Sequence, residues 1–262
     1  MPGHHHRTHE IMLNRSLMRA LSALLLVLAS FNCIAQPDYA REQRWADEIT
    51  PAILVGDPVQ LALPSGRKFL GIYAPNTSAQ AGIVVVHGLG VHPDWGLINP
   101  LRSQLSEQGY ATLSVQMPVL AADARGDQYP PLFPEAAERL AAAVAYLHGK
   151  GHHKVAIVSH SLGARMVNYF LNQPAAPAIT AWVAIGISGD YSNPATFKAP
   201  VLDLYGEKDL PAVLAHAGAR ATAIQRVRGS AQISVAGAAH FFNSHETELV
   251  RTVKLFLDRA TR

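Results

Sequence analysis

Cysteine is almost absent from this chain of 262 residues. The single one, Cys33, lies near the amino end, so no disulfide can form within the chain and no thiolate cluster can hold a structural metal. A lipid anchor on Cys33 is disfavoured, because Phe31 and Asn32 stand where such a site needs small residues. The sequence therefore predicts a fold that is stabilised by packing.

Long hydrophobic runs are also missing. The most apolar stretch covers residues 20–31, about 12 residues, whereas a membrane-spanning helix needs about 20. Arg15 and Arg19 precede this stretch and residues 33–35 offer small side chains for cleavage, which is the arrangement of a secretory signal. We therefore expect residues 1–35 to be a leader and signal peptide, no permanent membrane span, and a mature protein that is periplasmic or secreted.

A large excess of charge of one sign is missing as well. The chain contains 22 Lys and Arg residues against 19 Asp and Glu residues, which gives a formal net charge of +3. Without residues 1–35, which hold three arginines and one glutamate, the net charge is near +1, and no basic cluster follows. The composition therefore gives no support for nucleic acid as a partner. About 227 residues remain for the mature chain, a length that suits one domain over residues 36–262.

Short apolar runs alternate with stretches of helical spacing along most of the chain. Residues 37–54 have the pattern of a helical arm, and residues 59–63 and 69–73 flank a turn, Pro64–Arg67, as in a hairpin. Six further runs are short and mostly apolar throughout, which is typical of parallel strands buried on both faces. They are Ile83–Val86, Ala111–Val115, Val155–Val158, Trp182–Ile187, Val201–Tyr205 and Ile233–Val235. The alternation predicts an α/β fold with helices on both faces of a mostly parallel sheet.

Two stretches near functional positions need a separate interpretation. Residues 118–134 show no clear period and contain Pro130 and Pro131, so this segment is compatible with a short lid or with an ordinary surface connection. Asn243 and Glu246 have the spacing of a capping box before the last apolar helical stretch. This spacing predicts a capping box at the start of the last helix, which we expect to begin near His245.

Three short motifs in the second half of the chain each follow a predicted strand. They are Ser159–Gly163 (Ser-His-Ser-Leu-Gly), Tyr205–Asp209 (Tyr-Gly-Glu-Lys-Asp) and Gly237–His240 (Gly-Ala-Ala-His). The order serine, acid, histidine is that of hydrolases in which a serine attacks a carbonyl, and it differs from the orders in chymotrypsin-like and subtilisin-like proteases. An earlier motif at a strand end, His87–Gly90 (His-Gly-Leu-Gly), is suited to binding an oxyanion.

Ser161 lies at the centre of the first motif, between a predicted strand and a helix that begins near Leu162. Such a strand-to-helix turn exposes the serine on a strained backbone, and small neighbours such as Ser159 and Gly163 leave room for it. The helix start adds backbone N–H groups and the positive end of a dipole beside the serine. The motif resembles the nucleophile elbow of the α/β-hydrolase superfamily, G-x-S-x-G, except that Ser159 replaces the first glycine.

The resemblance implies a role for each motif. Asp209, just past a predicted strand, would accept the Nδ1 proton of His240. His240 would in turn take the hydroxyl proton of Ser161 as a general base. The backbone N–H groups of Leu89 and Leu162 would form the oxyanion hole.

Other residues fit these roles less well. Asp203 lies within a predicted strand, which favours a structural polar group, whereas Asp190 follows the preceding strand, where some superfamily members carry the acid. We expect His87 to shape the oxyanion loop. Trp95 either lines the mouth of the pocket or is a buried structural residue. Ser188 has glycines nearby, but no helical stretch follows it.

Four further segments carry a closer similarity. Arg44-Trp45, His92–Trp95, Ser114–Pro118 and Asp203–Gly206 are similar to segments of an exported bacterial α/β-hydrolase family of unassigned substrate. The resemblance implies the α/β-hydrolase fold, with an eight-stranded, mostly parallel sheet, helices on both faces and at most a short lid.

The motifs together predict an exported serine hydrolase. We expect Ser161, with His240 and Asp209, to form an acyl-enzyme from a small-molecule carboxylic ester or thioester, as a carboxylesterase does. No metal or other cofactor is required, since no ligand pair has metal-site spacing and the glycines at 88 and 90 lack the third glycine of a dinucleotide loop. A peptidase of the same fold and a non-catalytic binding or envelope-interaction protein are the alternatives. The motifs indicate neither the substrate nor the oligomeric state.

Overall fold

The structure, a computed structural model, describes residues 36–262. Its strands are β1 (Asp57–Ala62), β2 (Lys68–Ala74), β3 (Gly82–Val86), β4 (Ala111–Val115), β5 (Val155–His160), β6 (Ala181–Ile185), β7 (Val201–Lys208) and β8 (Ala231–Ala239). They form an eight-stranded sheet in the order β1-β2-β4-β3-β5-β6-β7-β8. The leader and signal peptide predicted over residues 1–35 lies outside the described residues.

Helices occupy most of the connections between the strands. They are α1 (Tyr39–Ile49), α2 (Ile98–Glu107), α3 (Phe133–Gly149), α4 (Leu162–Leu171), α5 (Pro211–Leu214), α6 (Ala217–Ile224) and α7 (Glu246–Ala260). Short 3₁₀ turns lie at Thr50–Ala52, Gly126–Gln128, Pro130–Leu132 and Pro194–Thr196. In the part of the chain that the structure describes, no helix combines the length and the apolar character that crossing a bilayer requires.

Strand direction brings several turns of the chain to one edge of the sheet. β1 and β2 form an antiparallel hairpin, and β2 also pairs antiparallel with β4. The other neighbours, from β4 through β3 to β8, are parallel. The carboxyl ends of parallel strands lie at the same edge, where open α/β sheets bind their ligands. The motifs that follow β3, β5, β7 and β8 therefore share this edge.

The central strands are apolar on both faces because helices cover both faces. In β3, Val84 and Val86 share a core cluster with residues of α3 and α4, whereas Ile83 and Val85 share one with residues of α2 and α7. Successive side chains of a strand point to opposite faces, so a strand that is covered twice must be apolar throughout. All residues of β3, β4 and β6 are accordingly buried. The predicted mostly parallel sheet is confirmed.

The strand ends differ from the predicted ones in ways that matter for the site. β5 continues to His160 and β7 to Lys208, so Ser161 and Asp209 follow their strands directly. β6 ends earlier than predicted, at Ile185, because the next residue, Gly186, turns the chain with a φ of 58°.

The predicted capping box at the last helix is wrong. α7 begins at Glu246 with His245 as its N-cap, and no side chain caps its first turn. Phe242 and Ser244 both have positive φ angles, 54° and 63°. These two left-handed residues fold the chain into a tight turn on either side of Asn243, which keeps the asparagine away from the helix start.

The segment 118–134 packs onto the domain at both of its ends. Val119, Leu120, Tyr129 and Leu132 are buried, and the Tyr129 hydroxyl accepts a hydrogen bond from the Leu120 backbone N–H at 3.1 Å. Most of residues 121–128 between them are exposed. Any lid formed by this segment is therefore limited to its short exposed middle.

Candidate active site

Ser161 occupies the turn between β5 and α4. Its backbone has φ 55° and ψ −122°, a region that residues with a side chain rarely enter. Its N–H donates to the carbonyl of Ile185 at 2.8 Å, and α4 begins at the next residue, Leu162. Backbone strain of this kind persists where the surrounding structure enforces it, most often at functional sites. Ser161 therefore has the strained turn that the sequence predicts.

Gly163 and Ser159, the small residues on either side of this turn, have different surroundings. A Cβ at Gly163 would lie 2.1 Å from the carbonyl oxygen of His87, so only glycine fits there. Ser159 lies within β5, where its hydroxyl accepts from Trp182 Nε1 at 2.9 Å and donates to the carbonyl of Val183 at 3.2 Å. The position at which the sequence departs from G-x-S-x-G thus has room for a side chain, whose hydroxyl satisfies a buried indole.

His240 connects Ser161 to Asp209 through two hydrogen bonds. Its Nε2 lies 2.9 Å from Ser161 Oγ, and its Nδ1 lies 2.6 Å from Asp209 Oδ1. An ionised carboxylate can only accept, so Nδ1–H donates to Asp209 and Nε2 is left to accept the serine proton. The structure therefore brings together the three side chains that the sequence predicts, from three different strand ends.

The environment of Asp209 favours its charged form. Burial by itself would raise the pKa of this carboxyl, but hydrogen bonds from His240 and from the backbone N–H groups of Leu210 (2.7 Å) and Gly206 (3.2 Å) outweigh it. The pKa of Asp209 consequently lies below its usual value. An ionised Asp209 keeps the ring proton of His240 on Nδ1 and stabilises an imidazolium ring.

The two competing acids lie elsewhere. Asp203 is fully buried in β7 and pairs with Arg220 at 3.0 Å, which is a structural role. Asp190 is more than half exposed and lies 2.9 Å from His216 Nδ1, and not beside His240. Within residues 36–262, no group of three or more His, Cys, Asp or Glu side chains is placed to hold a metal ion.

Two residues of the site were not predicted from the sequence. His160 donates from Nε2 to the carbonyl of His240 at 3.0 Å, with the two ring centroids 4.7 Å apart. Burial lowers the pKa of His160 to about 3, so this ring is neutral at ordinary pH. Gly186 approaches so closely that a Cβ there would lie 3.1 Å from the His240 ring. The only signals in the sequence were a histidine beside the predicted nucleophile and a glycine within an apolar run.

The predicted oxyanion loop, residues 87–90, lies against the nucleophile turn. A Cβ at Gly88 would stand 3.2 Å from Ser161 Cβ. The backbone N–H groups of Leu89 and Leu162 have no hydrogen-bond partner among residues 36–262. The first N–H groups of a helix have no acceptor within the helix, so the N–H of Leu162, together with that of Leu89, is free to bind an oxyanion.

His87 shapes this loop as a neutral ring. Its Nε2 accepts from the backbone N–H of Met117 at 2.9 Å, which places the ring proton on Nδ1, and Nδ1–H donates to the carbonyl of Gly88 at 2.9 Å. Burial lowers the pKa of His87 to about 3. These contacts agree with the expectation that His87 positions the loop.

Helix α1 supports the same loop from the other side. Arg41 donates to the carbonyls of Gly90 at 3.0 Å and Leu120 at 2.8 Å. The next residue, Glu42, is buried and pairs with Arg139 of α3 at 2.9 Å, which holds α1 on the domain. The sequence predicts this helix but gives it no part in the site, because Arg41 and Gly90 are far apart along the chain.

Large apolar side chains next to the site residues are exposed. Leu89, Leu210 and Phe241 are 41%, 48% and 45% exposed, and they belong to or directly follow the oxyanion loop, the acid and the histidine. Half-buried Trp95 packs edge-on against Phe241, with ring centroids 5.4 Å apart. Of the two interpretations of Trp95, its contact with Phe241 favours a place at the mouth of the site. We refer to these four side chains as the apolar rim.

Comparison with families and curated proteins gives no functional assignment. A family described as “Protein of unknown function (DUF3530)” matches residues 20–131, a stretch that includes the predicted oxyanion loop and ends before Ser161. No curated protein matches the chain.

Solved structures give a clearer result. The chain is similar to dienelactone hydrolase from Anabaena variabilis, with a TM-score of 0.63 and 20% identity over 77% of this chain and 96% of that one. An esterase from Pyrococcus furiosus has a TM-score of 0.62 and 15% identity over 79% and 93% of the two chains. The esterase domain of a Rhodothermus marinus protein has a TM-score of 0.62 and 14% identity over 79% and 99%. Together with the sheet order, these likenesses show that the chain has the α/β-hydrolase fold.

Proposed function

We propose that this protein is a serine hydrolase that cleaves a carboxylic ester or thioester through an acyl-enzyme on Ser161. The observation that carries the proposal is the unbroken line of hydrogen bonds from Asp209 through His240 to Ser161, of 2.6 and 2.9 Å. A serine hydroxyl is a weak nucleophile, and a base within hydrogen-bond reach activates it. The strained backbone of Ser161 presents that hydroxyl at the carboxyl edge of the sheet.

The reaction follows from these positions. Ser161 Oγ forms a bond to the carbonyl carbon while His240 Nε2 takes the hydroxyl proton, and the carbonyl oxygen becomes negative. The N–H groups of Leu89 and Leu162 stabilise that charge, and loss of one such donor typically costs about 10² to 10³ in rate. The C–O or C–S bond then breaks as His240 gives its proton to the leaving alcohol or thiol. A water molecule, deprotonated by His240, finally releases the acid and restores the serine.

Two observations support an ester or thioester over an amide. The similar structures include proteins described as an esterase, an esterase domain and a dienelactone hydrolase. The apolar rim suits an apolar part of an acyl compound, since an exposed apolar patch of this kind commonly marks a binding surface. Esters also demand less assistance to the leaving group than amides do.

We further propose that residues 1–35 are a cleaved export signal and that residues 36–262 form one catalytic domain. The support is the sequence pattern of the leader, with arginines before a short apolar run. The mature enzyme would then act on a small acyl compound in the periplasm or outside the cell, without a cofactor. Mass measurement of the protein recovered from a bacterial periplasm tests the cleavage position.

A fluorophosphonate probe tests the catalytic proposal, because such probes react with activated serines. We expect the parent protein to be labelled and Ser161→Ala to remain unlabelled and to lose p-nitrophenyl ester hydrolysis. Ser78→Ala, which changes an exposed serine ahead of β3, at the opposite end of that strand from the loop 87–90, is the matched control and should behave as the parent does. Absence of labelling in a folded parent would overturn the proposal and favour a binding protein on this fold. Ester turnover by Ser161→Ala at the parent's rate would also overturn it.

A further inference from the structure

A cavity of about 470 Å³ lies along the helix that starts at the nucleophile. Ser161, Arg165 and Tyr169 are half-buried, whereas the α4 residues between them are buried. Residues four apart lie on one face of a helix, at a rise of about 6 Å, so this is the open face of α4. Arg165 and Tyr169 line the cavity, and the open face therefore leads from the nucleophile into it.

Other residues of the cavity wall follow residues of the candidate active site along the chain. A Cβ at Gly186 would lie 3.1 Å from the ring of His240, and the loop that continues from this glycine contributes residues 188–190 to the cavity wall. Ala212, shortly after Asp209 in the chain, lines the same wall. Three parts of the chain thus bound the cavity. They are helix α4, which follows Ser161, the loop that continues from Gly186, and the segment that follows Asp209. Ser161 itself does not line the cavity, so a substrate held there would reach it along the open face of α4.

Arg165 differs from the buried arginines in lacking a carboxylate partner. Arg102, Arg139 and Arg220 each form an ion pair with an aspartate or glutamate. Among the ion pairs of residues 36–262, none involves Arg165. Its guanidinium lies 5.8 Å from the ring centroid of Phe133, another residue of the cavity wall. The guanidinium therefore retains its planar fork of N–H donors for a ligand, and a carboxylate matches that fork with two parallel hydrogen bonds.

We propose that this cavity binds a carboxylate carried by the substrate and that Arg165 recognises it. The inference rests on the proposed hydrolase function and adds a substrate class, namely an ester or thioester that also bears a carboxylate. Asn168 supplies a second polar group in the cavity. It is buried, its Nδ2 donates to Ser192 Oγ at 3.3 Å, and its Oδ1, which has no partner within the described chain, suits a donor group of the substrate and not the carboxylate itself.

An acidic residue of the cavity wall limits the charge of the ligand. Asp190 lines the cavity, and its carboxylate lies 2.9 Å from His216 Nδ1, which also lines it. A second negative charge on the ligand would be repelled by Asp190, because like charges at short range destabilise each other. The arrangement thus favours one carboxylate near Arg165 over a ligand with several negative charges.

Two series of esters test the assignment and locate the carboxylate. In p-nitrophenyl monoesters of adipic and suberic acid it lies on the acyl side, and in acetate esters of hydroxybenzoic acids it lies on the alcohol side. Each is compared with the matching primary amide, and we expect the parent to favour the carboxylate in one series. In Arg165→Gln, the ratio of kcat/KM for carboxylate over amide should fall about 10- to 100-fold, the usual effect of a charged hydrogen bond. Arg165→Lys keeps the charge without the planar fork, so the same ratio should fall less in this variant.

Arg226→Gln is the matched control, because it removes an exposed arginine outside this cavity and should leave the ratio unchanged. The assignment is overturned if Arg165→Gln leaves the ratio unaltered, or if the parent treats carboxylate and amide alike in both series. Fluorophosphonate labelling of the same proteins separates this failure from failure of the proposed function. Labelling depends on Ser161 and His240, whereas the ratio depends on the cavity.

Discussion

Close contacts with neighbouring residues restrict which residue types fit at the nucleophile turn. Gly163 has the carbonyl oxygen of His87 where a side chain would begin, so this glycine determines how closely the oxyanion loop approaches the serine. Ser159 instead uses its side chain, because its hydroxyl is the partner of the Trp182 indole. We therefore expect Gly163 to support turnover and Ser159 to support the stability of the fold.

Exchanging each of these residues for alanine should separate the two properties. In Gly163→Ala the added Cβ forces one of the two backbones to move, and a shift of about 1 Å at a reacting group costs about 10²-fold in rate. We expect kcat for p-nitrophenyl acetate to fall by about this factor. Ser159→Ala leaves a buried N–H unpaired and should lower the free energy of unfolding by about 1–3 kcal/mol, with kcat close to the parent's. Equal losses of kcat in the two variants would contradict this explanation.

Among the elements, α1 affects the site although it contributes no reacting group. Arg41 holds the carbonyls of Gly90 and Leu120, so the helix ties the oxyanion loop to the start of the segment 118–134. The guanidinium of Arg41 lies 4.4 Å from the ring centroid of Trp45 in the same helix, and this contact limits the conformations of the arginine. We consider Arg41 a positioning residue for the oxyanion loop.

Loss of this contact should reduce turnover more than substrate binding. For Arg41→Met we expect kcat to fall about 10- to 100-fold with little change in KM, since the proposed oxyanion loop would stabilise charge that develops only in the transition state. Arg41→Lys should recover part of the loss, because it retains a donor for one carbonyl. Arg44→Met removes an exposed arginine of the same helix and is the matched control. A rise in KM with unchanged kcat would contradict a role in positioning the loop.

The elements most accurately predicted from the sequence are those covered on both faces. The run Ala111–Val115 matches β4 residue for residue, because burial on both sides requires apolar residues at every position. The start of α7 was not predictable from the spacing of Asn243 and Glu246. Two left-handed residues in the preceding turn, Phe242 and Ser244, decide it, and the spacing of Asn243 and Glu246 does not record their conformation.

At the scale of the whole molecule, buried histidines should make the fold sensitive to acid. Burial lowers the pKa of both His87 and His160 to about 3, whereas a histidine in an unfolded chain titrates near pH 6.5. Between these values the unfolded chain binds protons that the folded protein does not, so the free energy of unfolding falls as the pH falls. The stability is fully present above about pH 6.5 and is lost as the pH approaches 3.

Urea unfolding at several pH values measures this effect. Each of the two histidines should contribute about 1.4 kcal/mol per pH unit between about pH 6 and pH 4. His160→Gln removes one titrating ring and retains a donor for the His240 carbonyl, so its slope should be shallower by that amount. His153→Gln, a change at an exposed histidine, should leave the slope unchanged. The same slope in His160→Gln and in the parent would contradict a neutral buried His160.

The site as a whole divides into a part that the sequence predicts and a part that it does not. Ser161, Asp209 and His240 each follow an apolar strand, and parallel strands end at a common edge, so pattern and topology suffice to bring them together. Arg41 and Arg165 have no such marker. Their places depend on how α1 and α4 pack against distant loops, which no local pattern records.

The anchoring of α1 also bears on how the protein is prepared. Asp38 caps this helix, and its backbone N–H donates to the carbonyl of Val119 at 2.7 Å, near the arginine that supports the oxyanion loop. A tag joined ahead of the exposed Gln36 leaves this attachment intact, whereas a truncation that removes Asp38 abolishes it. The truncated protein should hydrolyse p-nitrophenyl acetate more slowly than the protein that starts at Gln36.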